Sequence, residues 1–265
     1  MNTANNETVL ITGASSGIGR ELARCFAADG CHLILLARNT DALETLAGEL
    51  RQAHKIETLV LTADLSRPET PARVFKELQG RGIKVDVLVN NAGFGANGTF
   101  AGLPLQRQLA MIQVNITALT SLTGLFLPGM TERRRGGVLN VGSLAGFLPG
   151  PGMAIYFASK AFVLSFTEAL AEELIGTGVT TTALCPGPTA TNFGNISHGK
   201  RARRLNTSRM TAASVARHGH HAFRKGRWLA IPGWQYHFLA FLVRIMPRWC
   251  VRKLAGLFNR TKEPD

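Results

Sequence analysis

The sequence predicts an α/β protein built on a doubly wound parallel sheet of about seven strands. Short apolar runs alternate along the chain with segments whose apolar residues recur at helical spacing. A glycine-rich turn joins the first apolar run to the first helical segment. Strands that are apolar throughout are typical of a parallel sheet covered by helices on both faces. We therefore expect a single domain of this class, followed by a basic helical C-terminal extension.

The predicted elements alternate regularly. Apolar runs predict strands over residues 9–11, 32–37, 58–62, 85–89, 137–141, 179–184 and 228–231. Helical spacing predicts helices over residues 20–28, 41–54, 68–80, 105–127 and 155–175. Leu43, Leu46 and Leu50 show this spacing in the second helix, and Pro68 with Glu69 opens the third.

The first turn reads Thr12-Gly-Ala-Ser-Ser-Gly-Ile-Gly19. In a nucleotide-binding unit Gly13 permits the tight turn, Gly17 lets the backbone approach a pyrophosphate, and Gly19 lets the helix pack closely. The N–H groups at the helix start attract a phosphate. The spacing departs from the common GxGxxG fingerprint, so a glycine-rich turn without a ligand is the competing interpretation.

Glycines or polar residues that could contact a ligand follow most of the predicted strands. Ligands of open parallel sheets bind at the carboxyl ends of the strands, so one crevice is expected to receive all of these motifs. They are residues 13–19, Arg38, Asp64, residues 90–93, Ser143 and residues 186–187.

Tyr156 and Lys160 lie four residues apart, so their side chains share one helix face. A phenol has an ordinary pKa of ~10, and a nearby ammonium is expected to lower it. We expect Tyr156 to exchange a proton with a carbonyl or alcohol oxygen, and Ser143 to hydrogen-bond the same oxygen. A tyrosine packed on its helix beside a solvated lysine is the competing interpretation.

These motifs together resemble the short-chain dehydrogenase/reductase family over about residues 7–235. The matching segments are the glycine turn, Asn90-Asn91-Ala92-Gly93, Tyr156-x3-Lys160, and Pro186-Gly187 followed by Thr191. The resemblance implies a Rossmann-type fold and a catalytic set of Asn115, Ser143, Tyr156 and Lys160. In the family this asparagine disturbs its helix and holds a water in a proton relay. From the residues alone, Asn115 is a polar residue in an apolar run, and a satisfied core asparagine is the alternative.

The cofactor is expected to be NADP(H) rather than NAD(H). The second strand ends Leu36-Ala37-Arg38 and lacks the acid that would bind a ribose 2′-hydroxyl. Arg38 can instead bind a 2′-phosphate, unless it is only a solvated surface charge. By resemblance Asp64 meets the adenine edge and Leu65 flanks it, with a helix cap as the alternative for Asp64. The expected cofactor contacts are Gly13, Ser15, Ser16, Gly17, Ile18, Gly19, Arg38, Asp64, Leu65, Asn91, Ala92, Gly93, Tyr156, Lys160, Pro186, Gly187 and Thr191.

Composition indicates a globular protein, with 45% hydrophobic residues. The first residues carry no secretion signal, and no uninterrupted apolar run approaches the ~20 residues of a membrane span. The four cysteines are scattered without metal-ligand spacing, which favours reduced thiols, no metal site and a cytoplasmic location. His218, His220 and His221 are expected to face solvent, and the arginines at 133–135 to form a solvated loop.

All the excess positive charge lies in the last quarter of the chain. Residues 1–197 contain 15 Lys/Arg and 15 Asp/Glu, whereas residues 198–265 contain 15 Lys/Arg and 2 acids, which accounts for the net +13. This distribution argues against nucleic-acid binding and favours a basic tail that meets an anionic surface or ligand. The predicted substrate lid, residues 192–215, carries cations that either meet an anionic substrate or are simply solvated; they are Lys200, Arg201, Arg203 and Arg204.

We divide the chain into a catalytic domain, residues 1–235, and a basic amphipathic extension, residues 236–265. Pro247 is expected to split the extension into two short helices. Its residues 236–258 either touch a membrane surface, cap the substrate pocket or pack against a second subunit.

The expected function is NADP(H)-dependent interconversion of a carbonyl and an alcohol on a hydrophobic, lipid-like or acyl substrate. The alternative is a non-catalytic NADP(H)-binding or scaffolding protein that has kept the fold. By resemblance we also expect a homodimer or homotetramer.

Overall fold

The computed structural model describes residues 7–190 and 210–259, and confirms the doubly wound parallel sheet. The strands are β1 Thr8–Thr12, β2 His32–Ala37, β3 Thr58–Thr62, β4 Val87–Asn90, β5 Gly136–Val141, β6 Val179–Leu184, β7 Thr189–Ala190, β8 Met210–Thr211 and β9 Leu229–Ala230. The α-helices are α1 Gly17–Ala28, α2 Thr40–His54, α3 Thr70–Gly80, α4 Leu105–Ile112, α5 Leu119–Glu132, α6 Ala154–Glu173, α7 Ala212–Arg224, α8 Trp234–Ile245 and α9 Arg248–Asn259.

The main sheet has seven parallel strands in the order β3-β2-β1-β4-β5-β6-β9. Strand β1 pairs with β2 on one side and with β4 on the other, so the strand order reverses at β1. Such a reversal opens a crevice at the carboxyl ends of the strands. The glycine turn after β1 and the Asn90-Asn91-Ala92-Gly93 motif after β4 therefore face the same crevice. Strands β7 and β8 form a separate two-stranded parallel sheet.

Helices cover both faces of the sheet. Successive side chains of each strand point to opposite faces and pack in two separate hydrophobic cores. In β1, Val9 and Ile11 belong to the core beneath α1, α2 and α7, whereas Leu10 belongs to the core beneath α3, α5 and α6. All three side chains are fully buried. This burial on both faces explains why the strands read as continuous apolar runs.

The helix expected over residues 105–127 differs from the prediction. It runs on to Glu132 and contains a π-helical segment, Gln113–Ala118, between α4 and α5. A π-helical segment holds an extra residue per turn, which a search for 3.6-residue spacing does not reveal. The expected break at Pro247 is confirmed, because α8 ends at Ile245 and α9 begins at Arg248.

Two helical stretches, Leu105–Glu132 and α6, are long and apolar enough to cross a membrane by length and composition alone. Core helices pass the same test. Leu122 and Leu170, one in each stretch, are buried against the sheet, so this is weak evidence for a membrane span.

Most residues of the two polar clusters expected to be solvated are exposed: His218, His221 and the arginines at 133–135. His220 does not face solvent: its Nε2 lies 3.0 Å from Asp29 Oδ2, and its ring packs edge-on against Phe26. Arg133 donates to the Val85 carbonyl at 2.8 Å. Within the described ranges no group of three His, Cys, Asp or Glu side chains is arranged to hold a metal ion.

Candidate active site

The glycine turn has the backbone that the sequence predicted. Gly13 and Gly17 have φ values of +65° and +58°, a conformation that other residues rarely adopt. A Cβ on Gly19 would collide with the Asn91 side chain and the Gly13 carbonyl oxygen. Gly19 is therefore required by a contact with the β4 motif, which the sequence pattern did not show.

Thr12 and Asn91 bind the ends of β1 and β4 together. The Asn91 amide Nδ2 donates to the carbonyl oxygens of Thr12 and Gly13 at 2.9 and 3.1 Å. The Thr12 hydroxyl accepts from the backbone N–H groups of Asn91 and Ala92 at 2.9 and 3.0 Å. These bonds hold the floor of the crevice rigid at the point where the strand order reverses.

The start of α1 suits a phosphate group. Ser16 occupies the N-cap position without a side-chain capping bond, and the first turn of α1 carries no acidic residue. The first N–H groups of a helix lack intrahelical acceptors and favour an anion. Together with the close backbone approach at Gly13 and Gly17, this cradle fits the pyrophosphate of a dinucleotide.

Arg38 and Asp64 lie near each other after β2 and β3. Arg38 is exposed. Burial raises the pKa of the Asp64 carboxyl, but hydrogen bonds from Ser66 and the charges of Arg38 and Arg67 outweigh it and leave the pKa below its ordinary value. Asp64 Oδ1 accepts from the Ser66 N–H at 3.0 Å, whereas the N-cap of α3 is Glu69, so Asp64 caps a turn rather than a helix.

Leu65 contributes less to the crevice than expected. Its side chain is 6% exposed and lies in the core that contains Val74 and Leu78. Little of this side chain is therefore free to flank an adenine ring.

Ser143, Tyr156 and Lys160 form one cluster. Ser143 follows β5, caps a 3-10 turn over Leu144–Phe147 and is hydrogen-bonded with Tyr156. Lys160 Nζ lies 5.9 Å from the centre of the Tyr156 ring and donates to the Val141 carbonyl at 2.7 Å. The fold thus places both members of the helix pair against the end of β5.

Burial dominates the titration of this pair. It raises the pKa of Tyr156 to about 12, although the hydrogen bond with Ser143 lowers it. Burial also lowers the pKa of Lys160 to about 8. The predicted lowering of the Tyr156 pKa is wrong for the protein's own groups, because desolvation of the phenolate exceeds the opposing effect of the hydrogen bond with Ser143.

Asn115 lies in the π-helical segment and is fully hydrogen-bonded. Its Oδ1 accepts from the Phe94 N–H at 3.1 Å, and its Nδ2 donates to the Phe94 carbonyl and to Ser159 Oγ, both at 3.0 Å. Ser159 Oγ in turn donates to the Tyr156 carbonyl at 2.7 Å. A Cβ on Gly93 would lie 3.1 Å from Asn115 Oδ1 and 3.6 Å from Lys160 Nζ. The structure therefore brings Asn115 and Lys160 to the same glycine, Gly93.

Asn90 links the sheet to the helices on the face where Asn115 lies. Its Nδ2 donates to Thr123 Oγ1 at 3.0 Å and to Asn140 Oδ1 at 2.9 Å. Asn140 then donates to Thr167 Oγ1 at 3.0 Å. This buried polar row ties β4 and β5 to α5 and α6.

Two further residues at the site were not singled out from the sequence. Cys185 is fully buried, and burial raises the pKa of its thiol to about 12, while a backbone hydrogen bond from Ser143 and the charge of Lys160 lower it. The Tyr236 ring from α8 covers Gly187, where a Cβ would lie 2.5 Å from the ring. No local motif marked either residue. Thr191, the last expected cofactor contact, lies outside the described residues, as do residues 192–209 of the expected substrate lid.

Comparisons with known proteins identify the family of this chain. A family model described as short chain dehydrogenase matches residues 7–201. The chain is 42% identical over 190 residues to sulfoacetaldehyde reductase 2 of Chromohalobacter salexigens, covering 71% of this chain and 75% of that protein. It is 34% identical over 187 residues to the ketoacyl reductase HetN of Nostoc sp., covering 71% of this chain but only 65% of that protein.

Solved structures match over nearly the whole chain. A short-chain dehydrogenase from Sphingobium yanoikuyae in complex with NADPH has a TM-score of 0.82 at 32% identity, covering 98% of this chain and 97% of that chain. A short chain dehydrogenase/reductase from Burkholderia phymatum in complex with NAD has a TM-score of 0.80 at 26% identity, covering 100% and 99%. These complexes support a nicotinamide cofactor. The chain therefore belongs to the short chain dehydrogenase family.

Proposed function

We propose that this protein is an NADP(H)-dependent carbonyl reductase and alcohol dehydrogenase for hydrophobic, lipid-like or acyl substrates. The contact between Ser143 and Tyr156, with the buried ammonium of Lys160 behind the ring, carries the proposal. Residues 1–235 are the proposed catalytic domain and residues 192–215 its proposed lid.

Tyr156 is the proposed proton donor during reduction. With its pKa raised to about 12 by burial, the phenol is protonated at neutral pH, and a developing alkoxide is a strong enough base to take its proton. Ser143 hydrogen-bonds the same substrate oxygen and orients it. Lys160 supplies positive charge behind the phenol, and Asn115 holds the π-helical segment against Phe94 and Ser159.

NADP(H) would supply or accept the hydride when bound. The proposed contacts are the glycine turn and α1 start for the pyrophosphate, Arg38 for the 2′-phosphate, and Asp64 for the adenine. The preference rests on Arg38, which is exposed at the end of β2 and carries the charge that a 2′-phosphate requires. Asn91, Ala92 and Gly93 line the crevice floor, and Pro186 and Gly187 its far side.

The surroundings of Tyr156 favour an apolar substrate. Its ring packs in a cluster with Ala96, Met111, Ala145 and Met153. Ligand pockets of this kind select apolar groups and use a few polar groups for orientation. The similarity to a ketoacyl reductase agrees with an acyl substrate.

We further propose a cytoplasmic homodimer or homotetramer. Phe162 on the outer side of α6 is 37% exposed and stacks on Phe166 at 5.6 Å, which suits packing against a second subunit. Light scattering coupled to gel filtration tests this part, and a monomeric mass would contradict it.

The activity is tested by NADPH oxidation against a panel of aldehydes, ketones and 3-oxoacyl thioesters. Tyr156→Phe should lower kcat by ~100-fold or more, because it removes the proton donor but keeps the ring. NADPH binding, followed by its fluorescence, should survive the substitution. Equal turnover by wild type and variant would refute the proposed role of Tyr156 as the proton donor. NADPH binding without turnover of any substrate would favour the non-catalytic alternative.

The cofactor preference has a separate test. Arg38→Ala should weaken NADPH binding by ~10- to 100-fold, the range for a lost charge-assisted hydrogen bond, and leave NADH binding nearly unchanged. Arg73→Ala, at an exposed position on α3, is the matched control. Equal losses for the two cofactors would refute the assignment of Arg38 to the 2′-phosphate.

A further inference from the structure

Helix α8 exposes a stripe of large apolar side chains. Trp234, Phe238, Phe241 and Ile245 are 80%, 61%, 61% and 65% exposed. Their spacing of four, three and four residues places all of them on one side of the helix. We call these four residues the α8 stripe. A contiguous exposed apolar patch of this kind marks an interaction site.

The opposite side of α8 is already packed against the catalytic domain. Ala240 is 5% exposed and lies in a cluster with Leu144 and Leu164, next to the turn that follows Ser143. Tyr236 covers Gly187 from the same side of the helix. The helix therefore has a fixed orientation, and the α8 stripe is the face left outward.

Helix α9 begins three residues after the end of α8 and adds exposed aromatic and cationic groups. Trp249 is 59% exposed, and Lys253 Nζ lies 5.7 Å from the centre of its ring. Arg248 and Arg252 are also exposed. The buried side of α9 carries Val251 and Ala255. We call the α8 stripe together with Arg248, Trp249, Arg252 and Lys253 the docking surface.

The part of the chain that carries the docking surface has charges of one sign. Residues 174–262 contain 15 Lys/Arg and no Asp or Glu. A two-fold contact between two copies through this surface would bring its cations against one another without an acid to pair them. Exposed tryptophan and phenylalanine flanked by arginine and lysine match an anionic lipid surface, where rings enter the interface and cations meet lipid phosphates.

We propose that the docking surface binds this protein peripherally to anionic lipid bilayers. A Cβ on Gly256 would lie 3.8 Å from Pro151, in the segment between the 3-10 turn and α6. Helix α9 thus lies close to the segment that leads into α6, the helix that carries Tyr156. This inference goes beyond the proposed activity and does not depend on it, because binding is measured without substrate or cofactor.

The test is co-sedimentation of the full chain with vesicles of equal parts phosphatidylcholine and phosphatidylglycerol. The wild type should bind these vesicles at least ~10-fold more tightly than vesicles of phosphatidylcholine alone. W234S/F238S/F241S should weaken binding ~100-fold or more, since three large apolar side chains no longer enter the interface. R252Q/K253Q should weaken it ~30-fold, about fivefold for each charge.

Matched substitutions elsewhere control for general effects of charge and exposure. I175S removes an apolar side chain that is 73% exposed beyond the end of α6, and R73Q/K76Q removes two exposed charges on α3. Both should bind anionic vesicles like the wild type, and thermal unfolding should show that every variant is folded.

Three results would overturn the proposal. The first is wild-type binding that does not depend on anionic lipid. The second is docking-surface variants that bind as well as the controls. The third is a wild-type oligomer that ignores vesicles and dissociates when the α8 stripe is changed, which would make this surface a contact between subunits.

Discussion

Burial of the Lys160 ammonium should cost the fold stability, in a way that depends on pH. The side chain is 6% exposed, and burial lowers its pKa from 10.5 to about 8. Between these two values the unfolded chain binds more protons than the folded chain. The free energy of unfolding should therefore rise as the pH rises from about 8 towards 10.5. Lys160→Met tests this, because methionine fills similar space without the charge.

The magnitude follows from the pKa shift. At about pH 7 the ammonium costs ~3 kcal/mol, and at about pH 9.5 the cost falls to ~1 kcal/mol. Relative to Lys160→Met, the wild type should thus gain about 2 kcal/mol between these pH values. The variant also leaves the Val141 carbonyl without its lysine donor, which costs ~1–3 kcal/mol at either pH. The change with pH, rather than the absolute difference, isolates the ammonium.

Urea unfolding followed by circular dichroism measures both proteins at both pH values and at one protein concentration. Lys76→Met, at an exposed position on α3, is the control and should show no such dependence on pH. A wild-type to Lys160→Met difference that stays constant from about pH 7 to about pH 9.5 would refute the reasoning. It would mean that the ammonium titrates near its ordinary pKa and is not desolvated in the fold.

Further predictions concern the glycine turn and the serine beside the phenol. Gly19→Ala should lower the free energy of unfolding by ~1–3 kcal/mol, because the added methyl meets Asn91, whereas Gly48→Ala should raise it by ~0.5–1 kcal/mol. Urea unfolding compares the two variants. Similar changes in the free energy of unfolding would show that a methyl group at position 19 does not collide with Asn91. Ser143→Ala removes a bond that lowers the pKa of Tyr156, so alcohol oxidation should require a more alkaline pH. An unchanged pH–rate profile would show that Ser143 does not tune the phenol.

The sequence by itself determined the architecture and the parts of the candidate site that follow strands. The continuous apolar runs of β1 and β2 indicate that these strands are buried on both faces. Burial on both faces is typical of a parallel sheet with helices on either side. The positive φ values at Gly13 and Gly17 were readable because few other residues adopt them. The helical spacing of Tyr156 and Lys160 likewise placed both on one face before any fold was known.

Tertiary structure alone decided which distant groups meet and which physical effect prevails. Gly19 is needed because Asn91 comes from the motif after another strand. Asn115, in the π-helical segment, and Lys160, in α6, meet next to Gly93. The pKa of Tyr156 rises rather than falls because burial outweighs the hydrogen bond with Ser143, a balance that depends on surrounding atoms. Periodicity encodes whether a residue is buried, but contacts across the chain and the loss of water depend on packing in three dimensions.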